Sequence, residues 1–170
     1  TGVGGDVNIN AGKTSASNTR GGAVMLSSGA STQGTSGKVS LSTVDGGVSG
    51  DMEMTTGSTT GGTSGSISMT SGKSTGGKGG TITLSVGDGN TGVGGDVNIN
   101  AGKTSASNTR GGAVMLSSGA STQGTSGKVS LSTVDGGVSG DMEMTTGSTT
   151  GGTSGSISMT SGKSTGGKGG

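Results

Sequence analysis

The sequence predicts an all-β fold, an elongated β-solenoid (β-helix) built from units of about 15 residues, and three observations support this class. Residues 1–80 recur without a single change as residues 91–170, so the chain has a period of 90 residues. Within each period a shorter pattern repeats six times: a glycine, two apolar residues in alternation, a small residue and a second glycine. The composition excludes an ordinary globular core, because apolar residues make up 23% of the chain and aromatic residues are absent.

Each repeat unit begins at a glycine that precedes an apolar alternation, as in GDVNINAG, GDMEMTTG and GTITLSVG. Period-two alternation with β-branched residues and flanking glycine predicts a short strand with one covered face. The covered face of the first unit would carry Val7, Ile9 and Ala11. That of the fourth unit would carry Met52, Met54 and Thr56. The eleven units form one continuous domain along the whole chain and begin at Gly5, Gly22, Gly37, Gly50, Gly65, Gly80, Gly95, Gly112, Gly127, Gly140 and Gly155.

The number of units in one coil of the solenoid is left open by the sequence. The six units of a period have lengths of 17, 15, 13, 15, 15 and 15 residues, so the first three and the last three span equal lengths and favour three units per coil. Three units per coil would stack Asp6 on Asp51, which is repulsive unless a cation lies between them. One unit per coil places Lys38 beside Asp51, and two units place Asp6 beside Lys38. The charges therefore favour one or two units per coil.

Charge and composition exclude several function classes. Ten Lys or Arg against nine Asp or Glu give a net charge of +1, which supplies no long-range attraction for nucleic acid or an anionic membrane. The longest apolar run, Ala23 to Leu26, is too short to span a bilayer. The chain has no His or Cys to activate a serine, and the carboxylates of Asp51 and Glu53 fit an exposed solubilising pair. We therefore predict no catalytic residues and no enzymatic activity.

Calcium is the one candidate cofactor. The stretch VGDGNTGVGGD is similar to the Gly/Asp nonapeptides of calcium-binding β-rolls. Asp88 and Asn90 have the D-x-N spacing of an oxygen-rich loop, and Asp96 adds a third oxygen donor. The tandem nine-residue repetition of that family is absent, and a tight Gly/Asn turn explains the same residues without a metal. The favoured interpretation is the turn, with no bound cofactor.

Hydroxyl-rich segments such as GASTQGTSG and GSTTGGTSG connect the predicted strands. No N-x-[ST] sequon occurs, so N-glycans are excluded, whereas covalent O-glycans on an outer surface fit this hydroxyl density. An equally weighted alternative is that the hydroxyls only cap turns and form ladders. The candidate O-glycosylation residues are Ser31, Thr32, Thr35, Ser58, Thr59, Thr60, Thr63, Ser74 and Thr75.

The repeating cadence GGDVNINAG…GGAVMLSSGAS resembles the Gly/Ser/Thr-rich β-solenoid repeat tracts of extracellular fibres, appendages and adhesins. The resemblance covers the whole chain at the level of a class and carries no site residues across. It implies a passive structural element, extracellular or at the cell surface, that self-associates into a filament. The alternative is an adhesin stalk or an ice-binding β-solenoid with a regular Ser/Thr-rich surface, although only Thr81 and Thr83 form a Thr-x-Thr pair beside the apolar residues.

Overall fold

The computed structural model of the protein describes residues 2–167. Over that range the chain has neither an α-helix nor a β-strand, so there are no element bounds to give. The predicted all-β solenoid is therefore wrong, and so is the description of the protein as a β-solenoid. The chain is coil-rich.

Regularly spaced bends organise the chain instead of strands. Each bend lies in a segment rich in Gly, Ser, Thr or Asn, whereas the apolar alternations between the bends run without one. The bends begin 14 to 16 residues apart and occupy residues 16–18, 32–34, 46–48, 60–62, 75–77, 90–93, 106–108, 122–124, 136–138, 150–152 and 165–167. Small polar residues thus change the direction of the chain, and the apolar alternations lie in the segments between.

The backbone hydrogen bonds explain why no strand forms. A strand needs a ladder of successive bonds between two neighbouring segments. In the described range, isolated bonds close single loops: the Gly22 N–H donates to the Gly12 carbonyl at 2.8 Å, and the Gly37 N–H donates to the Gly29 carbonyl at 2.9 Å. The same two bonds recur at the equivalent glycines 90 residues later. One isolated bond closes a loop without fixing a register between neighbouring segments.

Left-handed backbone conformations are few. Asn18 and Asn108 have φ of 58° and end the equivalent bends at 16–18 and 106–108. Asparagine tolerates this region better than most residues because its short side chain can hydrogen-bond locally. Gly92, with φ of 74°, is the one glycine of the described range in the left-handed region. Positive φ is therefore rare among the glycines of residues 2–167.

The described residues contain no buried core, because none of them is buried. The chain exposes 16903 Å² of surface. A folded monomer of its mass exposes about 7,200 Å² and the unfolded chain about 22,600 Å². Most of the apolar surface therefore stays accessible to solvent or to a partner.

The chain divides into two compact units, Thr1–Thr83 and Leu84–Gly170. The first contains five of the bends described above and the second contains six. Each unit therefore has its own series of bends and its own apolar alternations.

Candidate functional site

The strongest candidate for a functional surface is the set of apolar residues in the segments between bends. In the second repeat unit, Val24 and Leu26 are more covered than Met25, which lies between them. Alternating coverage of this kind puts Val24 and Leu26 on one side of the segment and Met25 on the other. We call the two apolar residues on the more covered side of each repeat unit the paired apolar positions. The first position is occupied by Val7, Val24, Val39, Met52, Ile67, Ile82, Val97, Val114, Val129, Met142 and Ile157, and the second by Ile9, Leu26, Leu41, Met54, Met69, Leu84, Ile99, Leu116, Leu131, Met144 and Met159.

Most paired positions are more covered than the apolar side chains in the bends, and Val86, which continues the alternation of Ile82 and Leu84, is also covered, at 46% exposed. Val39, a first position within the chain, is 47% exposed. Val48, in the bend at 46–48, is 93% exposed, and its equivalent Val138 has the same value. Both kinds of residue are aliphatic, so location rather than chemistry accounts for the difference. The paired positions are partly covered by the chain itself, and the first-position residues are still between 47% and 88% exposed.

Glycines that open repeat units lie close to the residue that ends the preceding segment. A Cβ added at Gly37 would lie 3.2 Å from the Ser28 Cβ, and one added at Gly80 would lie 3.1 Å from the Ser71 Cβ. These loops span nine residues and return the chain to its starting point, so a side chain larger than hydrogen would strain the approach. Glycine at these positions therefore brings successive apolar segments near each other.

Hydroxyl groups stabilise the bends between these segments. The Thr14 hydroxyl accepts the Ala16 N–H at 3.2 Å, and the Thr19 hydroxyl donates to the Ala16 carbonyl at 2.8 Å. The Ser31 hydroxyl accepts the Gly34 N–H at 2.9 Å. These are side-chain-to-backbone bonds of the kind by which Ser and Thr favour turns. The sequence analysis did not single out Thr14 or Thr19, although a hydroxyl two residues before a polar turn is a recognisable signal.

All nine candidate O-glycosylation residues are exposed. Two of them, Ser31 and Thr59, accept a backbone N–H of the following bend, at 2.9 Å and 3.4 Å. The structure therefore assigns a capping role to these two hydroxyls. Glycosylation of the nine stays a prediction, and the remaining seven are Thr32, Thr35, Ser58, Thr60, Thr63, Ser74 and Thr75.

The calcium candidates lie around the bend at 90–93. Asp88, Asn90 and Asp96 are all exposed, and Asn90 begins the bend that contains Gly92. Within residues 2–167, no group of three or more acidic or histidine side chains is placed to hold a metal ion. The bend supplies the geometry that the turn interpretation requires. Calcium binding stays untested.

The described part of the chain contains no cavity. It also contains no helix long and apolar enough to cross a bilayer. The chain matches no protein-family model, no curated protein and no solved structure. The candidate site is therefore an open surface, defined by the paired apolar positions and the hydroxyl-capped bends.

Proposed function

We propose that this protein is a structural repeat element that forms or stiffens an extracellular filament or cell-surface appendage and has no catalytic activity. The observation that carries the proposal is the exact 90-residue repeat, in which each copy presents the same order of bends and paired apolar positions. A repeated surface lets an assembly grow by adding equivalent copies. Its extent then depends on the number of copies rather than on any single residue.

The chemistry of the exposed surface supports an extracellular setting. Hydroxyl side chains are abundant at and beside the bends, where they are open to solvent and to modifying enzymes. O-linked sugars on these hydroxyls would solubilise a chain whose apolar residues are largely exposed. A net charge of +1 leaves electrostatic repulsion between copies small. Hydroxyl-rich surfaces and weak mutual repulsion suit a material built from many copies.

The ice-binding alternative depended on a flat solenoid face with regular rows of threonine. Over residues 2–167 the chain forms no strand, so that face is not built. The filament role does not require such a face and is the one we propose.

Electron microscopy of the native material tests the proposed function. We expect long unbranched fibres with an axial repeat that is constant from one 90-residue block to the next. Discrete particles without an axial repeat would contradict the proposal. Mass spectrometry before and after alkaline β-elimination, which removes O-linked sugars, provides a separate test of the glycan prediction on the same sample.

A further inference from the structure

We infer that the paired apolar positions form a self-association surface whose partner is a second copy of this chain. The inference rests on the proposed function, because it names the surface through which copies of a structural element would join. Beyond the proposed function, it specifies that the partner is a second copy of the chain and how the two chains align.

The exposed area shows that the chain alone does not cover its apolar residues. The chain exposes 16903 Å², more than twice the area of about 7,200 Å² for a folded monomer of its mass. A stable protein–protein interface removes about 1,200–2,000 Å² from solvent. Soluble monomers rarely expose contiguous apolar patches beyond a few hundred Å². The exposed surface is therefore ample for an interface, and its apolar part favours one.

The spacing of the paired positions identifies a second copy as the partner. First positions follow one another at 17, 15, 13, 15, 15 and 15 residues in each period, an irregular series that a copy of the same chain reproduces in full. Two parallel copies match every spacing when they are aligned in register or displaced by 90 residues. A displacement of 45 residues matches some spacings and misses others by two residues.

The charged residues do not oppose this alignment. Asp51 and Glu53 flank Met52 at alternate positions of one segment that has no bend. Both residues are exposed, so their carboxylates are open to solvent. In-register copies can therefore join through the apolar side while like charges stay in solvent.

Methionine provides both the probe and its matched control. Six of the eight methionines occupy paired positions, namely Met52, Met54, Met69, Met142, Met144 and Met159. Met25 and Met115 lie on the opposite side of their segments and are largely exposed. Methionine is flexible and fits irregular apolar interfaces well. The same chemical change can therefore be made on the two sides of the chain.

Sedimentation velocity over a range of protein concentrations tests the surface. The paired variant carries Met52→Ser and Met142→Ser, and the control carries Met25→Ser and Met115→Ser. We expect the unaltered chain to associate, the paired variant to associate at least about tenfold more weakly, and the control to stay within about twofold. A monomeric unaltered chain, or a control weakened as much as the paired variant, would overturn the inference.

Disulfide trapping tests the alignment, since the chain has no native cysteine. In-register copies place each residue near its own equivalent, so Leu41→Cys is expected to give covalent dimers under mild oxidation. Val48→Cys, in an open bend, is expected to do so at least about tenfold more slowly. Equal rates for the two variants would overturn the alignment.

The outcomes separate this inference from the proposed function. Discrete dimers that depend on the paired positions, without fibres, would support the surface and contradict the filament. Native fibres together with unaltered association of the paired variant would support the filament and overturn the surface.

Discussion

The two copies of the 80-residue sequence are identical in residues but not in coverage. Val7 is 88% exposed, whereas Val97, the same residue one period later, is 52% exposed. The repeat unit that begins at Gly80 lies directly before the unit that contains Val97. Because the sequences are the same, the difference comes from the neighbouring segment. The preceding unit covers the first paired position.

The other end of the chain shows the converse. Met69, which is followed by the repeat unit that begins at Gly80, is 70% exposed, and its equivalent Met159 is 86% exposed. Met52 and Met142, which have neighbours on both sides, agree at 57%. The following unit therefore covers the second paired position. Nearest-neighbour coverage of this kind is the behaviour of repeat proteins.

The largest expected difference between the copies concerns two equivalent glycines. A Cβ added at Gly95 would lie 2.7 Å from Cγ1 of Val86, whereas one added at Gly5 would have no atom within 4 Å. We expect Gly95→Ala to destabilise the 84–97 region by about 1 kcal/mol, the low end for overpacking, because Val86 is not buried. Gly5→Ala is expected to be neutral or to stabilise by up to about 1 kcal/mol. Urea titrations followed by the methyl signals of Val86 for Gly95→Ala, and of Val7 for Gly5→Ala, measure the two effects, and equal effects would break the comparison.

A second substitution is expected to act equally in both copies. Asn18 and Asn108 have the same left-handed φ of 58° inside their bends, where neighbouring units play no part. Asn18→Ala and Asn108→Ala should each destabilise the local loop by about 1 kcal/mol, because alanine adopts the left-handed region less readily than asparagine. Hydrogen exchange of the Gly22 and Gly112 amides, which close these loops, reports the cost. Different costs in the two copies would show that the bends also depend on their neighbours.

Truncating the first paired position sharpens the comparison at a smaller scale. Val97→Ala removes two methyl groups that are about half covered, for an expected loss of about 0.8 kcal/mol. Val7→Ala removes the same groups from an open site and should cost at most about 0.2 kcal/mol. Urea titrations with segmental isotope labelling, which separates signals of the identical copies, provide the measurement. A loss at Val7 as large as that at Val97 would contradict coverage by the preceding unit.

The smallest effect is expected from the hydroxyl caps. The Thr14 and Thr104 hydroxyls each accept the N–H of the alanine two residues later, at 3.2 Å in both copies. Thr14→Val and Thr104→Val should each cost about 0.5 kcal/mol, the low end for a hydrogen bond, because both bonds are exposed to water. Faster exchange of the Ala16 and Ala106 amides would report the loss. Unchanged exchange would remove the hydroxyls from the description of the bends.

The sequence predicts the spacing of the apolar segments better than it predicts secondary structure. The alternation in GAVMLSSG predicts that Val24 and Leu26 lie on one side with Met25 opposite, and Val24 and Leu26 are less exposed than Met25. The predicted strands are absent because isolated bonds, such as that from Gly37 to Gly29, close loops without forming a ladder. Periodicity reports which side of a segment is covered. It does not report whether a neighbouring backbone lies in register.

The candidate surface could be predicted only in part from the sequence, because its coverage also depends on neighbouring segments. The apolar alternation identifies the paired positions, but their coverage depends on adjacent units and is invisible in one unit alone. The left-handed residues illustrate the same limit, since Asn18 adopts positive φ and most glycines of the described range do not. Asparagine and glycine both permit that conformation, and local loop closure determines which residue adopts it.

The most direct test of coverage by neighbouring units is the solvent accessibility of equivalent methyl groups. Paramagnetic relaxation by a soluble agent, measured on chains in which one copy at a time carries labelled valine methyls, compares Val7 with Val97 and Val48 with Val138. We predict clearly stronger relaxation at Val7 than at Val97, and equal relaxation at Val48 and Val138. Equal relaxation at Val7 and Val97, at the level of the two bend valines, would contradict the claim that neighbouring units cover the paired apolar positions.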